Sequence, residues 1–344
     1  MRLQFRNLRH EYYAQFWQNA AHNVGAQLHD WKKGYQQISR DGWTTTVYLT
    51  QIMLNIGLSE EILSDKSLTQ DLLSRNDYPI PKHVIFTKSS FDRAAAFLAE
   101  RADPVVVKPA GGTAGGRGIT TGIKDNEGLR AATRIAARYS KTLMIEEQVA
   151  GASYRLLYLN GEFVDAVRRD SPVLTSDGRH TVRQLIGLEN RRRLESRPIT
   201  SLMPLFVDAD CHNKLREQGF SLGSIPDAGR TITIKQAVNA NAAAQNHNVR
   251  ADVHADIIEQ GRRLVTDLGL TLGGIDLQCN DITVPLAKNN GRFLELNSPS
   301  GLHHHYLLAE PELGTPVAEL ILEYMFSERV GVMHVPAGTS SVKL

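Results

Sequence analysis

Two short segments in the C-terminal third of the chain carry oxygen-bearing side chains on otherwise apolar patterns. Residues 273–277 contain Asp276, and residues 293–297 contain Glu295 and Asn297. Glu295 and Asn297 are two residues apart, so on a strand they point to the same face. A buried carboxylate is unfavourable unless it is paired or bound to a metal, and oxygen-only ligands suit a hard cation such as Mg²⁺. The segments therefore predict a metal site, with a pair of edge strands bearing solvated acids as the alternative.

A lysine followed by a glycine-rich segment forms a second candidate site. Residues 105–107 predict a strand that ends at Lys108, and glycines dominate residues 111–118 directly afterwards. Glycine lets backbone N–H groups approach phosphate oxygens, and lysine supplies positive charge. The segment lacks the Gly-Lys-Ser/Thr ending of a Walker A loop and the third glycine of a dinucleotide-binding loop, and residues 119–123 predict a returning strand. We interpret it as a flap between two strands that could fold over a triphosphate; an ordinary glycine-rich hairpin is the alternative.

The order of Lys108, the flap and the distant Asp276, Glu295 and Asn297 is typical of one superfamily. The chain resembles the ATP-grasp ligases, and within them the ATP-grasp domain of cyanophycin synthetases and related carboxylate–amine ligases. The resemblance runs from about Gly34 to His305. Further matches follow in family order at residues 64–69, 80–81, 146–149, 154–157, 160–161, 168–169, 177–182, 218–222 and 301–305.

This resemblance implies an α+β ATP-grasp fold, in which two α/β lobes clamp ATP. It also implies one or two Mg²⁺ ions, with Mn²⁺ as an alternative, held by Asp276, Glu295 and Asn297. The implied nucleotide contacts are Lys66 and Lys108 on the α- and β-phosphates; Gly112, Thr113, Gly115, Gly116 and Gly118 in the closing flap; Glu146, Glu147 and Val149 at adenine; and Ser153 near ribose. The implied catalytic residues are Arg155 and Arg169 at the γ-phosphate or acyl oxyanion, Asn239 at phosphate or metal, and His305 at the substrate.

Alternatives and departures accompany these assignments. Arg155 and Arg169 could instead form salt bridges with acids on a strand face. Ser153 stands where the family usually has an acid for the ribose hydroxyls. Ala243 and Ala244 replace two glycines of a loop that lies beside the reaction centre in cyanophycin synthetases. The loss of these glycines predicts a different substrate geometry and makes polymer synthesis a doubtful activity.

Composition narrows the class of protein. The chain has 344 residues, 42% of them hydrophobic, and a formal net charge of +2, which is enough for a substantial core and gives no indication of nucleic-acid or membrane-surface binding. No segment has the apolar length of a signal peptide or a membrane span. The two cysteines, Cys211 and Cys279, form no disulfide framework or zinc set. We expect both cysteines to be free thiols and the protein to be cytoplasmic. The family resemblance alone suggests a homodimer.

Local patterns divide the chain into a small N-terminal subdomain (1–60), a first lobe with the flap (61–150), a second lobe with the metal and substrate site (151–330) and a loose tail (331–344). Asn160-Gly161 predicts a type I′ hairpin. Predicted helices cover residues 11–24, 91–101, 127–139, 254–268 and 316–329; predicted strands include 35–38, 44–49, 142–146, 156–159 and 162–167. Ser89 or Ser90 is predicted to cap the second of these helices, and Pro316 to open the last one.

The sequence therefore predicts an ATP-dependent ligase that joins a carboxylate, of an amino acid or small peptide, to an amine and releases ADP and phosphate. Its predicted partners are these two small molecules. Three alternatives stay open: a carboxylate kinase or carboxylate–thiol ligase, a modifier of a macromolecular peptide, and a non-catalytic ATP-binding module. The sequence identifies neither substrate.

Overall fold

The computed structural model describes residues 1–111, 117–286, 290–298 and 300–335. Its helices are α1 (Arg2–Asn23), α2 (Gly57–Ser64), α3 (Lys66–Arg75), α4 (Phe91–Ala99), α5 (Asn126–Ala136), α6 (Val182–Glu195), α7 (Ala209–Glu217), α8 (Ala255–Asp267) and α9 (Val317–Glu328). Its strands are β1 (Gln27–Asp30), β2 (Gln36–Arg40), β3 (Trp43–Val47), β4 (His83–Phe86), β5 (Val105–Pro109), β6 (Thr120–Ile123), β7 (Leu143–Glu147), β8 (Ala152–Leu159), β9 (Glu162–Arg169), β10 (Val173–Thr175), β11 (Thr231–Thr233), β12 (Asn246–Asn248), β13 (Leu272–Cys279), β14 (Gly291–Asn297) and β15 (Met333–His334). In the part of the chain that is described, no helix has the length and apolarity to cross a membrane.

The first sheet follows from the β-branched run that precedes Lys108. Strands pair antiparallel in the order β4-β7-β5-β6, and every residue of β5 is buried. Helices α4 and α5 cover this sheet with apolar faces; in α5, Leu129, Ala132 and Ala136 recur at helical spacing and are buried. The Asp125 side chain caps α5 by accepting from the Gly128 N–H. The sheet therefore holds Lys108 on a rigid, covered strand.

The second sheet has the order β12-β9-β8-β13-β14 and is antiparallel throughout. Asn160 and Gly161 both have positive φ, 50° and 77°, which confirms the predicted type I′ hairpin between β8 and β9. Helix α8 packs on one face, where Ile257, Leu264 and Val265 join the apolar side chains of β8 and β13 in one cluster. The opposite face carries apolar side chains at one end, among them Leu157, Leu159 and Leu272, which join the core of α1 and α9.

Strand register aligns charged residues across that opposite face. Asp276 on β13 pairs with Arg155 on β8 and with Glu295 on β14. Arg169 on β9 pairs with Ser153, two residues before Arg155. Directly opposite residues of antiparallel strands lie on the same face. The register alone therefore collects these side chains at one end of the sheet.

The N-terminal segment is more extensive than the sequence predicted. Helix α1 begins at Arg2 rather than at residue 11, and its aromatic side chains, including Phe16 and Trp17, pack in one cluster with α9. A further strand, β1, joins β2 and β3, and β15 adds to the far edge of this sheet. The predicted loose tail is thus wrong at Met333–His334, which pairs with β3; residues 336–344 lie outside the described residues. Helices α1 and α9 lie against each other because their apolar faces cover each other.

Helices α6 and α7 and strands β10 and β11 form a smaller cluster beside the second sheet.

Two helices begin differently from what the sequence predicted. Ser90 is the N-cap residue of α4, but its side chain bonds Thr87 instead of the helix. Pro316 is the N-cap of α9, and the helix begins at Val317. The mixed α and β layers agree with the predicted class, and the predicted divisions at residues 60, 150 and 330 remain predictions.

Candidate active site

Asp276 is the centre of a charge cluster on the second sheet. Its Oδ1 lies 2.8 Å from Arg155 Nε and 2.8 Å from Arg169 Nη2. The Asp276 side chain is 17% exposed, and both arginines are buried. Burial acts to raise the pKa of Asp276. The guanidinium groups of Arg155 and Arg169, with smaller contributions from Lys66 and Asn297, outweigh burial and hold the pKa below its usual value. Asp276 is therefore an ionised carboxylate under two cations.

Two lysines approach the cluster from the first lobe. Lys66 opens α3, where the Asp65 side chain caps the helix by accepting from the Ser67 and Leu68 N–H groups. The Lys66 ammonium donates to Glu295. Lys108 Nζ lies 2.6 Å from Glu146 Oε1 on the neighbouring strand β7, and both side chains are buried. In this structure each lysine is therefore paired with a carboxylate.

A cleft of about 410 Å³ between the two sheets joins these groups, a size suited to a small ligand. Its polar lining includes both lysines, Arg169 and Asp276, and its apolar lining includes Val106 and Leu294. The predicted site residues that line it are Lys66, Lys108, Glu146, Glu147, Val149, Ser153, Arg169, Asn239, Asp276 and Glu295. The cleft thus places positively charged side chains and oxygen-bearing side chains beside apolar ones, a combination that suits a nucleotide.

Comparison with known proteins decides the fold. No family model matches the chain. Cyanophycin synthetases are similar in sequence: the protein from Trichormus variabilis is 26% identical over 289 residues, 81% of this chain and 31% of the relative, and that from Synechocystis is 28% identical over 290 residues, 83% and 32%. The glutathione biosynthesis bifunctional protein GshAB of Streptococcus thermophilus is 26% identical over 274 residues, 78% and 36%. The chain spans about a third of the length of these relatives.

A solved structure agrees with these sequences. The bifunctional glutathione synthetase of Pasteurella multocida superposes with a TM-score of 0.56 and 20% identity, covering 88% of this chain and 42% of that one. The chain adopts the ATP-grasp fold. The predicted resemblance to ATP-grasp ligases is thereby confirmed.

The ATP-grasp cleft does not contain every predicted residue. Arg155 contacts Asp276 but is absent from the cleft lining, so it lies behind the carboxylate. Asn297 pairs with Gly274 at the end of β14 and is likewise not in the lining. Gly118 has φ +80°, and a Cβ there would meet Tyr139 at 2.7 Å, so its backbone requires glycine. Gly112, Thr113, Gly115 and Gly116 lie outside the described residues.

His305 is placed away from the cleft. It is fully buried, and its Nδ1 lies 2.6 Å from Asp165 Oδ2. The same carboxylate accepts from the Thr315 hydroxyl at 2.8 Å and from the Asn248 amide at 2.9 Å. The predicted contact between His305 and a substrate has no support in this geometry, because the side chain is enclosed by protein.

Two hydrogen bonds bear on the residues that were predicted to contact the nucleotide. The Glu147 N–H donates to the Lys82 carbonyl at 3.0 Å, so that predicted adenine donor is already engaged and Val149 is the better candidate. Ser153 Oγ accepts from Arg169 Nη2 at 3.1 Å. The serine that replaces the family acid therefore helps to orient an arginine.

Three polar contacts of the cleft region were not predicted. Gln148 Oε1 accepts the Gly122 N–H at 2.7 Å, which ties the hinge after β7 to strand β6. Asp210 accepts the Ala237 N–H at 3.1 Å and the Thr121 hydroxyl at 3.4 Å. Burial raises the pKa of Asp210, and the backbone N–H groups oppose that shift. Asp210 thus connects one wall of the cleft to β6, a role that a lone acid in the first turn of α7 does not signal.

Proposed function

We propose that this chain is an ATP-dependent carboxylate–amine ligase that releases ADP and phosphate. One observation carries the proposal: Lys66, Lys108 and Arg169 line the same cleft as Asp276 and Glu295. Cations that bind phosphate oxygens and carboxylates that bind Mg²⁺ are the two requirements of phosphoryl transfer. The sequence relatives support ligation, and because the chain spans only part of their length, its own activity is a proposal.

The base of the nucleotide would contact the apolar part of the cleft lining. Val106, Ile119, Val149 and Leu294 belong to that lining and offer apolar contact to a base. Lys108 is positioned for a phosphate by its buried pair with Glu146, whose second oxygen, Oε2, has no hydrogen-bond partner among the described residues. A buried acceptor without a partner is unfavourable, so a donor on the ligand would stabilise the site.

The donor set fits a hard cation. Asp276 and Glu295 present carboxylates from paired strands, and Asn297 adds an amide two residues after Glu295. Within the described ranges no group of three or more His, Cys, Asp or Glu side chains forms a metal site, which is consistent with an ion held by two carboxylates plus substrate oxygens. Bound Mg²⁺ would neutralise phosphate charge during transfer. In this structure Lys66 is paired with Glu295. When ATP binds, Lys66 would leave this pair and contact a phosphate.

The arginines have different proposed roles. Arg169 lines the cleft and would face the γ-phosphate or the oxyanion that forms during amide synthesis, where one donor commonly contributes about 10²–10³ in rate. Arg155 lies behind Asp276 and would position that carboxylate without touching substrate. Asn239, which also lines the cleft, is placed for a phosphate or metal contact. The acyl phosphate formed by transfer to the carboxylate turns a poor leaving group into phosphate, which an amine displaces.

Isotope transfer tests this proposal. We expect ADP release with Mg²⁺-ATP only when a carboxylate and an amine are both present, over a matrix of amino acids and short peptides. When the carboxylate carries ¹⁸O, one label should appear in the released phosphate, because the acyl oxygen leaves with it. The dehydrated adduct should be visible by mass spectrometry.

Other results would favour the alternatives. Release that needs a thiol instead of an amine would indicate a thioester-forming ligase, and release without any acceptor would indicate a carboxylate kinase. ATP binding without turnover across the matrix would contradict the ligase proposal for small molecules. The cytoplasmic location and the homodimer remain predictions, for which cell fractionation and light scattering are the measurements.

A further inference from the structure

A second and larger concavity borders helix α1. This groove of about 1090 Å³ runs between α1, strands β1 and β2, and residues 197–200, 243–244 and 306–311. Tyr12 and Phe16 of α1 and Tyr306 form its aromatic wall, with ring centroids of Phe16 and Tyr306 4.9 Å apart. Its apolar area suits the body of a ligand of substantial size.

The groove is acidic. Its lining contains the carboxylates Glu11, Asp30 and Glu319 against one guanidinium, Arg197. Arg197 is already paired with Glu11 at 2.9 Å. Among the described residues Asp30 and Glu319 form no ion pair. Two uncompensated carboxylates beside aromatic faces are the arrangement that binds an organic ammonium group.

Uncharged donors hold these two carboxylates in place. Glu319 accepts from the Asn23 amide at 2.8 Å and from the Tyr306 hydroxyl at 2.7 Å. Asp30 accepts from the Gln36 amide at 3.0 Å. Side-chain amides also line the groove along α1, and amides are suitable partners for the N–H and C=O groups of a peptide.

A small inner pocket of about 10 Å³, too small to admit a ligand, has lining residues in common with both the groove and the cleft. Thr200 and Leu307 line both the groove and this pocket, and Asn239 lines both the pocket and the cleft. His304 also lines it, is 9% exposed, and its Nδ1 has no hydrogen-bond partner among the described residues. The Thr200 hydroxyl is likewise buried without one. Buried polar atoms without partners are unfavourable, and a polar chain crossing the pocket would satisfy them.

Charge has opposite signs on the two sides of this pocket. The groove carries the carboxylates of Asp30 and Glu319, and the cleft carries Arg169. We propose that a short apolar peptide binds across the pocket, with its N-terminal ammonium group in the groove and its C-terminal carboxylate in the cleft. The inference rests on the proposed function, and it makes the activated carboxylate that of a peptide. The pocket is closed to such a chain in this structure, so side chains at Thr200 and Asn239 must move to admit it.

The test separates binding from turnover. The probe is phenylalanyl-leucyl-alanine, compared with its N-acetyl form, which lacks the ammonium group, and its C-terminal amide, which lacks the carboxylate. Dissociation constants are measured by calorimetry without ATP, and ADP release is measured with Mg²⁺-ATP and a panel of amines. N-acetylation should weaken binding by about tenfold, the size of one lost charged hydrogen bond. The C-terminal amide should still bind but support no ADP release.

Variants locate the ammonium site. Glu319→Gln should weaken binding of the free peptide by about tenfold and leave binding of its N-acetyl form unchanged. Asp30→Asn, at an exposed position, should act in the same direction by a few fold, and Ala244→Leu should obstruct the groove wall. The control is Asp227→Asn, an exposed carboxylate in the same lobe, which should change neither constant.

The outcomes distinguish the two proposals. If the free and N-acetyl peptides bind equally, or if Glu319→Gln and Asp30→Asn both leave affinity unchanged, the groove does not bind the ammonium group and the inference is overturned, while ADP release with other carboxylates would leave the ligase proposal standing. If no peptide from dipeptide to pentapeptide binds, the inference is also overturned. If the binding pattern appears but no amine permits ADP release, the groove assignment stands and the ligase proposal fails.

Discussion

Two clusters of polar side chains, each centred on an aspartate of the second sheet, contain similar residue types but differ in how the fold surrounds them. The cleft cluster consists of Lys66, Arg155, Arg169, Asp276 and Glu295, and the sealed network consists of Asp165, Asn248, His305 and Thr315. Both place carboxylates of the sheet beside donors from other elements. The cleft cluster borders a cavity, whereas Asp165 and His305 are fully buried.

The difference shows in the atoms that lack partners. In the cleft cluster Arg169, which lines the cleft, has a buried Nε without a hydrogen-bond acceptor among the described residues, although its side chain contacts Asp276. Asp165 instead accepts three hydrogen bonds, one from each of its neighbours. His305 Nε2 also lacks a partner there, but His305 lines neither the cleft nor the groove. A satisfied buried carboxylate stabilises a fold, whereas spare donors beside a cavity are available to a ligand. Function is therefore expected in the cleft cluster and stability in the sealed network.

The largest expected effect is on turnover. Glu295→Ala removes a proposed metal ligand from a side chain that is 42% exposed, so ADP release should fall by about 10²–10³-fold while the free energy of unfolding changes by less than about 1 kcal/mol. Steady-state ADP release and thermal unfolding are the measurements. Glu162→Ala, an exposed acid on the same sheet, is the control. Near-normal ADP release would remove Glu295 from the site.

The matching change in the sealed network should have the opposite profile. Asp165→Asn replaces an oxygen that faces His305 Nδ1 with a group that can donate, and it removes a buried negative charge. We expect unfolding to become easier by about 3 kcal/mol, with the turnover of the folded fraction retained. Chemical denaturation and ADP release at low temperature measure the two quantities. A loss of turnover at unchanged stability would join the sealed network to the chemistry and break the comparison.

The sequence was informative where local chemistry determines the structure. Asn160-Gly161 predicted its hairpin because two successive positive φ angles favour these residues. Asp276 and Glu295 were predicted to belong to one site because acids in apolar strands need partners. Lys108 was placed at the end of a strand because a β-branched run precedes it, before any register was known.

Other features depend on contacts that sequence spacing does not contain. Asp165 and His305 are 140 residues apart, and only the packing of the segment after β14 against β9 joins them, so nothing in the sequence indicates that His305 is enclosed by protein. Asp210 reaches the cleft wall from α7 through backbone N–H groups, which carry no side-chain signal. The length of α1 was underestimated, although Phe5 and Leu8 continue the buried apolar stripe of Tyr13 and Phe16 into its first turns.

A pH titration sharpens the comparison inside the cleft cluster. Burial acts to raise the pKa of Asp276, but its polar neighbours, Arg155 and Arg169 foremost, lower the pKa by more than burial raises it. A lowered folded-state pKa contributes stability above the unfolded value of about 3.9, and that stability is lost as pH falls through the folded-state pKa. Asp276→Asn should therefore cost about 2–3 kcal/mol at neutral pH, because it leaves two buried guanidinium groups uncompensated.

This cost should shrink as the medium becomes acidic, because the wild-type carboxylate then takes up its proton as well. Urea denaturation of both proteins from neutral to acidic pH measures it. A difference that stays constant below about pH 4 would mean that the ion pairs contribute nothing and that the introduced amide disturbs packing instead.

The smallest expected effect tests whether the sealed network is only structural. Thr315→Val keeps the branched shape of a buried side chain and removes one hydroxyl donor to Asp165. Asp165 keeps its bonds from Asn248 and His305, so the free energy of unfolding should fall by about 1 kcal/mol, with the KM and kcat for ADP release unchanged. Combining Thr315→Val with Asp165→Asn should then give less than the sum of the two changes, because both remove the same contact. Additive losses would show that Thr315 acts through the start of α9 and not through the carboxylate, which would reduce the network to the contacts that Asp165 makes with Asn248 and His305.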